Sequence, residues 1–316
     1  MKKRYLIVLV IFLHISGIRM HGQTFRVATW NLENAFDTAH DDGKDDLEFT
    51  PTAVRRWNSG RYWRKLRGIS QTLAAMQLPD LVAIQEVEND TVLRDLTRRT
   101  PLRKAEYRYV MTDGPDRRGV DVALLYKKRS FTLLSWKSLH IDTERYGLRP
   151  TRDILLAHGV TGKDTLHIMV LHLPSRRNNN RATRLTRDIA VDVICHTMDS
   201  LNGRKVIVLG DFNAEPGDMI FERLEHHLCT LLPTEKKTLR GPRGTYYFRG
   251  IWGFLDHILV SPTLLSSACG KAEECRFPWL LRGKKQIPYR TYGGTSYLGG
   301  LSDHLPLTVS FSTEGE

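Results

Sequence analysis

Lys205-Val206-Ile207-Val208-Leu209-Gly210-Asp211-Phe212-Asn213 holds an apolar run, Val206–Leu209, that stops on a glycine, with polar Asp211 and Asn213 just beyond. Lys205–Leu209 reads as a strand. Immediately upstream, Arg181–Leu201 places Leu185, Ile189, Val193, Ile194 and Met198 on one helical face. A strand behind an amphipathic helix is the repeating unit of a layered α/β fold.

Working outward, the same alternation continues. Strands are predicted at Phe25–Trp30, Leu81–Gln85, Val120–Tyr126, Phe131–Leu139, Ile154–His158, Thr165–Leu173, Phe254–Val260 and Pro306–Phe311. Helices are predicted at Arg61–Met76, where Leu66, Ile69, Leu73 and Met76 share a face, and at Met219–Glu225. Strands outnumber helices, and several helices fall between strands, which predicts sheets covered by helices. No Pro-, Gly- or Ser-rich linker divides the chain and no short-period repeat is visible, so residues 23–316 read as one domain. Gly270–Gly300, rich in aromatic, basic and glycine residues, reads as a long surface excursion.

Of 316 residues, 41% are apolar, which excludes a disordered chain. Four cysteines are too few for a disulfide scaffold. Lys2, Lys3 and Arg4 precede the short apolar run Tyr5–Leu13, the pattern of a secretory signal peptide over residues 1–22. That run falls short of the ~20 residues a membrane span needs, and no other stretch approaches it. The expected product is therefore exported, periplasmic or extracellular, with no transmembrane segment in the mature chain. Export permits disulfides, and spacing leaves a Cys269–Cys275 loop open, while Cys195 reads as a buried thiol. The formal charge is +12, and +8 without residues 1–22, which favours polyanionic partners.

Several segments end in polar groups that a core strand does not need. They are Trp30-Asn31-Leu32-Glu33-Asn34, Gln85-Glu86-Val87-Glu88, Leu171-His172-Leu173, Gly210-Asp211-Phe212-Asn213 and Ser302-Asp303-His304, with Asp256 at the entrance of Leu255–Val260. Each alone reads as a turn or cap. Together they predict one site whose oxygen ligands suit Mg²⁺, with Mn²⁺ or Ca²⁺ as alternatives. The acidic stretch Asp37–Glu48 lacks the ligand spacing of an EF-hand calcium loop and reads as a solvated loop, with a structural Ca²⁺ as the alternative.

These motifs resemble the endonuclease/exonuclease/phosphatase superfamily. The matching pieces are WNLEN at 30–34, QEVE at 85–88, RGVDVALLY at 118–126, Arg152 with its neighbours, His172, GDFN at 210–213, LDHILV at 255–260 and SDHLP at 302–306. The resemblance implies a four-layer α/β/β/α sandwich, two facing and mostly antiparallel β-sheets flanked by helices, with the site where strand ends converge. It implies a cation at Asn31 and Glu86 with Asp303 close by. It further implies that Asp211 and Asn213 orient water and contact phosphate, that His304 pairs with Asp256, that His172 lies across the phosphate, and that Arg152 supports the site. Whether Asp211 or His304 takes the proton of water is left open.

The positive charge, the basic loop with Arg176 and Arg177, and the segments Arg243–Arg249 and Tyr289–Tyr297 lean toward nucleic acid. Arg152, Arg176 and Arg177 are the expected substrate-binding cations, and Arg184 and Arg187 read as a solvated helix face. The rival reading is a sphingomyelinase-like or inositol-phosphate phosphoesterase, for which Phe277–Leu281 is the candidate apolar hairpin. A non-catalytic binding module is disfavoured because no expected catalytic residue is missing. A monomer with no stable protein partner is expected.

Overall fold

Successive residues of a strand point to opposite faces, and in this chain both faces of the central strands are apolar. The computed structural model describes residues 24–175, 180–232, 237–238 and 241–312. The expected leader at 1–22 and Arg176 and Arg177 lie outside the described residues. In chain order the two large sheets use β1 (Thr24–Ala35), β2 (Leu81–Val87), β3 (Tyr107–Met111), β4 (Asp121–Lys127), β5 (Thr132–Leu139), β6 (Ile154–Thr161) and β7 (Asp164–His172). They continue with β8 (Lys205–Asp211), β9 (Cys229–Thr230), β10 (Asp256–Val260), β11 (Glu273–Glu274) and β12 (Leu307–Ser312). The flanking helices are α1 (Ser59–Ala75), α2 (Asp90–Arg99), α3 (Arg181–Ser200) and α4 (Met219–Leu224).

The first sheet runs β11-β12-β1-β2-β4-β3 and the second β5-β6-β7-β8-β10-β9. Each holds one parallel pair, β1–β2 and β7–β8, and is otherwise antiparallel. The parallel pairs are joined by α1 and α3, since a parallel connection must cross over. The segment that follows each pair is wired alike: β3 and β9 occupy edges beside β4 and β10. The two halves thus repeat one topology without a sequence repeat.

Three apolar layers separate four structural layers. Leu66, Ile69 and Leu73 of α1 pack on Ala28, Trp30, Val82 and Ile84. Val27, Leu81, Ala83 and Val122 meet Leu155, Ile168, Val170 and Ile207 between the sheets. Ile189, Ala190 and Ile194 of α3 cover Met169, Leu171, Val206 and Val208. The layered α/β/β/α architecture is the one the motifs implied.

Four expectations change. α2 and β3 were not expected, although Asn89 caps α2 by accepting from Val92 N at 3.2 Å. Gly270–Gly300 is no surface excursion: Leu280 and Tyr292 are buried beside α1, and Trp279 Nε1 donates to Thr72 Oγ1 at 3.0 Å. All four cysteines are free, so Cys269 and Cys275 form no bridge, and Cys195 is only partly buried. Arg187 is 4% exposed rather than solvated, whereas Arg184 is exposed as expected. Among the described residues no helix is long and apolar enough to cross a membrane.

Candidate active site

Parallel pairing delivers the carboxyl ends of β1 and β2 together, and likewise those of β7 and β8. Ligand sites in sheets with parallel strands form at such ends. Asn31 and Glu86 therefore arrive from one sheet, His172 and Asp211 from the other. The antiparallel neighbours enter in the opposite sense: Asp256 is the first residue of β10 and faces Asp211 in register, and His304 lies just before β12.

The strand ends are irregular, and this irregularity aims the side chains. The β1–β2 register slips between Asn31 and Ala35, and the β2–β4 register between Gln85 and Val87. Glu86 is the extra residue, with φ of 59°. Glu33, Asn34 and Asn213 also have positive φ, uncommon for residues other than glycine. On the second sheet Gly210 has φ of 146°, and a Cβ there would lie 2.0 Å from Leu171 O, so only glycine lets β7 and β8 approach here.

Asp211 is the hub. It is 1% exposed; Asn31 Nδ2 donates to its Oδ2 at 3.0 Å and Asn213 N to its Oδ1 at 2.8 Å. His172 Nε2 lies 3.5 Å and His304 Nε2 3.8 Å from Oδ2. Burial pushes Asp211 up to about 7; His304 pulls it down and Asp256 pushes it further up. His304 Nδ1 lies 2.8 Å from Asp256 Oδ2. Burial alone would lower that imidazole, but Asp256 and then Asp211 outweigh it and hold its pKa well above 6.5. His172 is driven the other way, first by burial and then by Arg152, so it is neutral. One histidine is cationic and its counterpart is not.

Glu86 carries the clearest signal for a cation. Its Oε2 accepts from Asn34 N at 2.9 Å, and among the described residues its nearest basic group is the neutral His172, 3.8 Å from Oε1. Asp303 lines the same cavity, where it pairs with Arg290. Asn31 turns its oxygen to Glu33 N at 2.9 Å. A set of carboxylate and amide oxygens suits a hard divalent ion such as Mg²⁺ or Mn²⁺. Asp211, Asp256 and His304 also lie close enough together to surround an ion. The cationic imidazole offsets one of the two carboxylate charges, which makes them a proton-handling trio.

Arg152 is 6% exposed, and its donors go to Asp116 Oδ2 at 2.5 Å, His172 O at 3.1 Å and Leu173 O at 3.2 Å. That geometry makes it a positioning residue, holding the chain that carries His172. Asn213 Nδ2 shares Leu173 O at 2.9 Å. The cavity, about 1070 Å³, joins these groups to Arg55, Arg118, Arg149, Arg249, Tyr246 and Phe248. Tyr246 lies 4.8 Å from the His304 ring and stacks with Phe248 at 6.4 Å, while Arg249 sits over Phe248 at 5.2 Å. Motif reading gave no site role to Asp116, Arg118 or Arg149, although Arg118 opens the matched segment 118–126 and Arg149 lies three residues before Arg152. Glu33 also lines the cavity, where burial and then Asp303 push it up to about 8.

A family model described as "Endonuclease/Exonuclease/phosphatase family" matches residues 26–313. A search of the curated proteins finds no match. Solved structures of the same fold include an endonuclease/exonuclease/phosphatase family protein from Bacteroides thetaiotaomicron (17% identity, 93% of this chain and 100% of that one, TM-score 0.60). Another is D. rerio TDP2 complexed with a single-strand DNA product (18% identity, 92% and 99%, TM-score 0.57). A third is a Bacteroides thetaiotaomicron mannosyl-6-phosphatase (17% identity, 90% and 98%, TM-score 0.57).

Proposed function

Because the chain belongs to the endonuclease/exonuclease/phosphatase family, we propose that it is an exported, divalent-cation-dependent phosphodiesterase that hydrolyses nucleic acid. Glu86, with Asn31 and Asp303 beside it, would hold the cation, which supplies positive charge to the phosphoryl oxygens. Asp211 is the general base: its affinity for protons is raised to the neutral range and its oxygens are fixed by Asn31 and Asn213 N. His304 arrives already protonated, so it stabilises phosphate charge or donates a proton rather than accepting one. Asp256 keeps it so, and Asn213 and neutral His172 complete the polar wall.

The observation that carries the nucleic-acid reading is the rim. Tyr246, Phe248 and Arg249 form a stacked aromatic and cationic edge beside the reacting groups, and Arg118 and Arg149 are exposed on the cavity wall. Sequence-tolerant strand binding combines such surfaces. The likeness to TDP2 holding a single-strand DNA product supports the same substrate class. The lipid reading loses its hairpin, since Phe277 stacks on Trp279 at 5.1 Å and Leu280 is buried.

Plasmid DNA and single-stranded DNA, incubated with Mg²⁺, Mn²⁺ or EDTA, test this. Cleavage that needs the metal and falls at least ~10³-fold in Glu86→Gln is expected. Intact DNA with every metal would sink the nuclease reading. Phosphate release from sugar phosphates in those reactions would move the substrate to phosphomonoesters.

A further inference from the structure

The acidic stretch after β1 is exposed at most positions, as expected of a solvated loop, but one of its carboxylates is buried. Asp46 is 1% exposed, and Glu88, just past the end of β2, is 6% exposed. Carboxylate oxygens of Asp41, Asp46 and Glu88 all lie within 4.8 Å of one another. Two ligands on opposite sides of a calcium ion at ~2.4 Å each are about that far apart. Glu88 Oε1 is buried without a hydrogen-bond partner, and its Oε2 accepts only Asp37 N, at 2.6 Å. The charges acting most directly on Glu88 are those of Asp37, Asp41 and Asp46, all of its own sign. Among the described residues, His40, whose Nδ1 faces Asp46 Oδ1, is the only basic side chain paired with the group. Asn89 Nδ2 adds donors to Asp37 at 3.2 Å and Asp41 at 3.3 Å.

Buried like charges with one orphaned oxygen are costly unless a counter-ion joins them. We propose that Asp41, Asp46 and Glu88 hold a second divalent cation of calcium type, distinct from the one at Glu86, that ties the 37–46 loop to the end of β2. Three carboxylates from an irregular loop and a strand end suit calcium's flexible oxygen coordination better than magnesium's strict octahedron.

Calcium binding to the full chain tests this by titration calorimetry and thermal melting. Glu86→Gln should still bind one Ca²⁺, and a 100-fold excess over the dissociation constant should raise its Tm by roughly 5 °C. Adding Glu88→Gln or Asp41→Asn to that variant should abolish both effects. In EDTA, Glu88→Gln alone should melt no lower than the wild type, because a buried carboxyl that faces like charges with one unpaired oxygen is gone. Should Glu86→Gln fold poorly, the wild type against Glu88→Gln gives the same comparison as a loss of one bound ion. Binding retained in both double variants, binding absent from folded Glu86→Gln, or Mg²⁺ at equal affinity would each overturn the proposal.

Discussion

The carboxylate of Asp116 rests on a guanidinium that solvent scarcely reaches, since Arg152 and Asp116 are both below 10% exposed. A buried ion pair is weak evidence of stability in itself, but breaking one strands a charge at a cost of ~3–5 kcal/mol. Burial would raise Asp116, yet Arg152 and then Arg118 outweigh it and lower its pKa below 3.8. A carboxylate depressed in the fold stabilises above its unfolded pKa of about 4 and loses that contribution as pH falls through the folded value. Asp116→Asn should therefore cost about 3 kcal/mol near pH 7 in denaturant titrations, with the gap to wild type closing below about pH 4. A gap unchanged down to pH 3 would show that the pair's charge is irrelevant. Glu86, His172, Asp211, Asn213, Asp256 and His304 were legible because each interrupts an apolar run at its end. Asp116 was not, because its partner lies 36 residues away and only the fold brings them together.

At the scale of elements, the site depends on how closely β7 and β8 run. Leu171 faces Gly210 and His172 faces Asp211 in that parallel register. A methyl at Gly210 meets a carbonyl oxygen rather than a movable side chain, and the backbone conformation is one that L residues rarely adopt. Gly210→Ala should therefore destabilise by about 2 kcal/mol or more and lower kcat with little change in the wild-type cleavage pattern. Wild-type stability and turnover in that variant would mean the strands can separate here without moving Asp211. Apolar run length made the central strands readable, and their breadth hid the topology: nothing in Lys205–Leu209 states which neighbour it pairs with. α2 escaped because Val92, Leu93 and Leu96 are a sparse apolar face, although Asn89, Asp90, Arg98 and Arg99 mark its ends. The bulge at Glu86 had no such signal, since it arises from the registers of two strand pairs of one sheet at once.

For the whole molecule, the excess of cations has to be weighed by where it lies. The net charge of residues 23–316 is +8, and Arg118, Arg149 and Arg249 are exposed around the cavity that holds the reacting groups. A strand of nucleic acid crossing that rim would touch several phosphates, whereas a small phosphate ester touches one. Each neutralised phosphate on a single strand releases counter-ions and contributes about −0.7 to the slope of log affinity against log salt. With three rim arginines engaged, affinity for a single-stranded oligonucleotide, measured by fluorescence anisotropy in EDTA, should fall roughly 20-fold between 50 and 200 mM salt. Arg249→Ala should flatten the slope by about one contact and weaken binding across sequences alike, because phosphate contacts carry no base information. A slope of one contact or less, unmoved by Arg249→Ala, would mean that the positive charge serves a compact monoester and that the aromatic rim stacks on something other than bases.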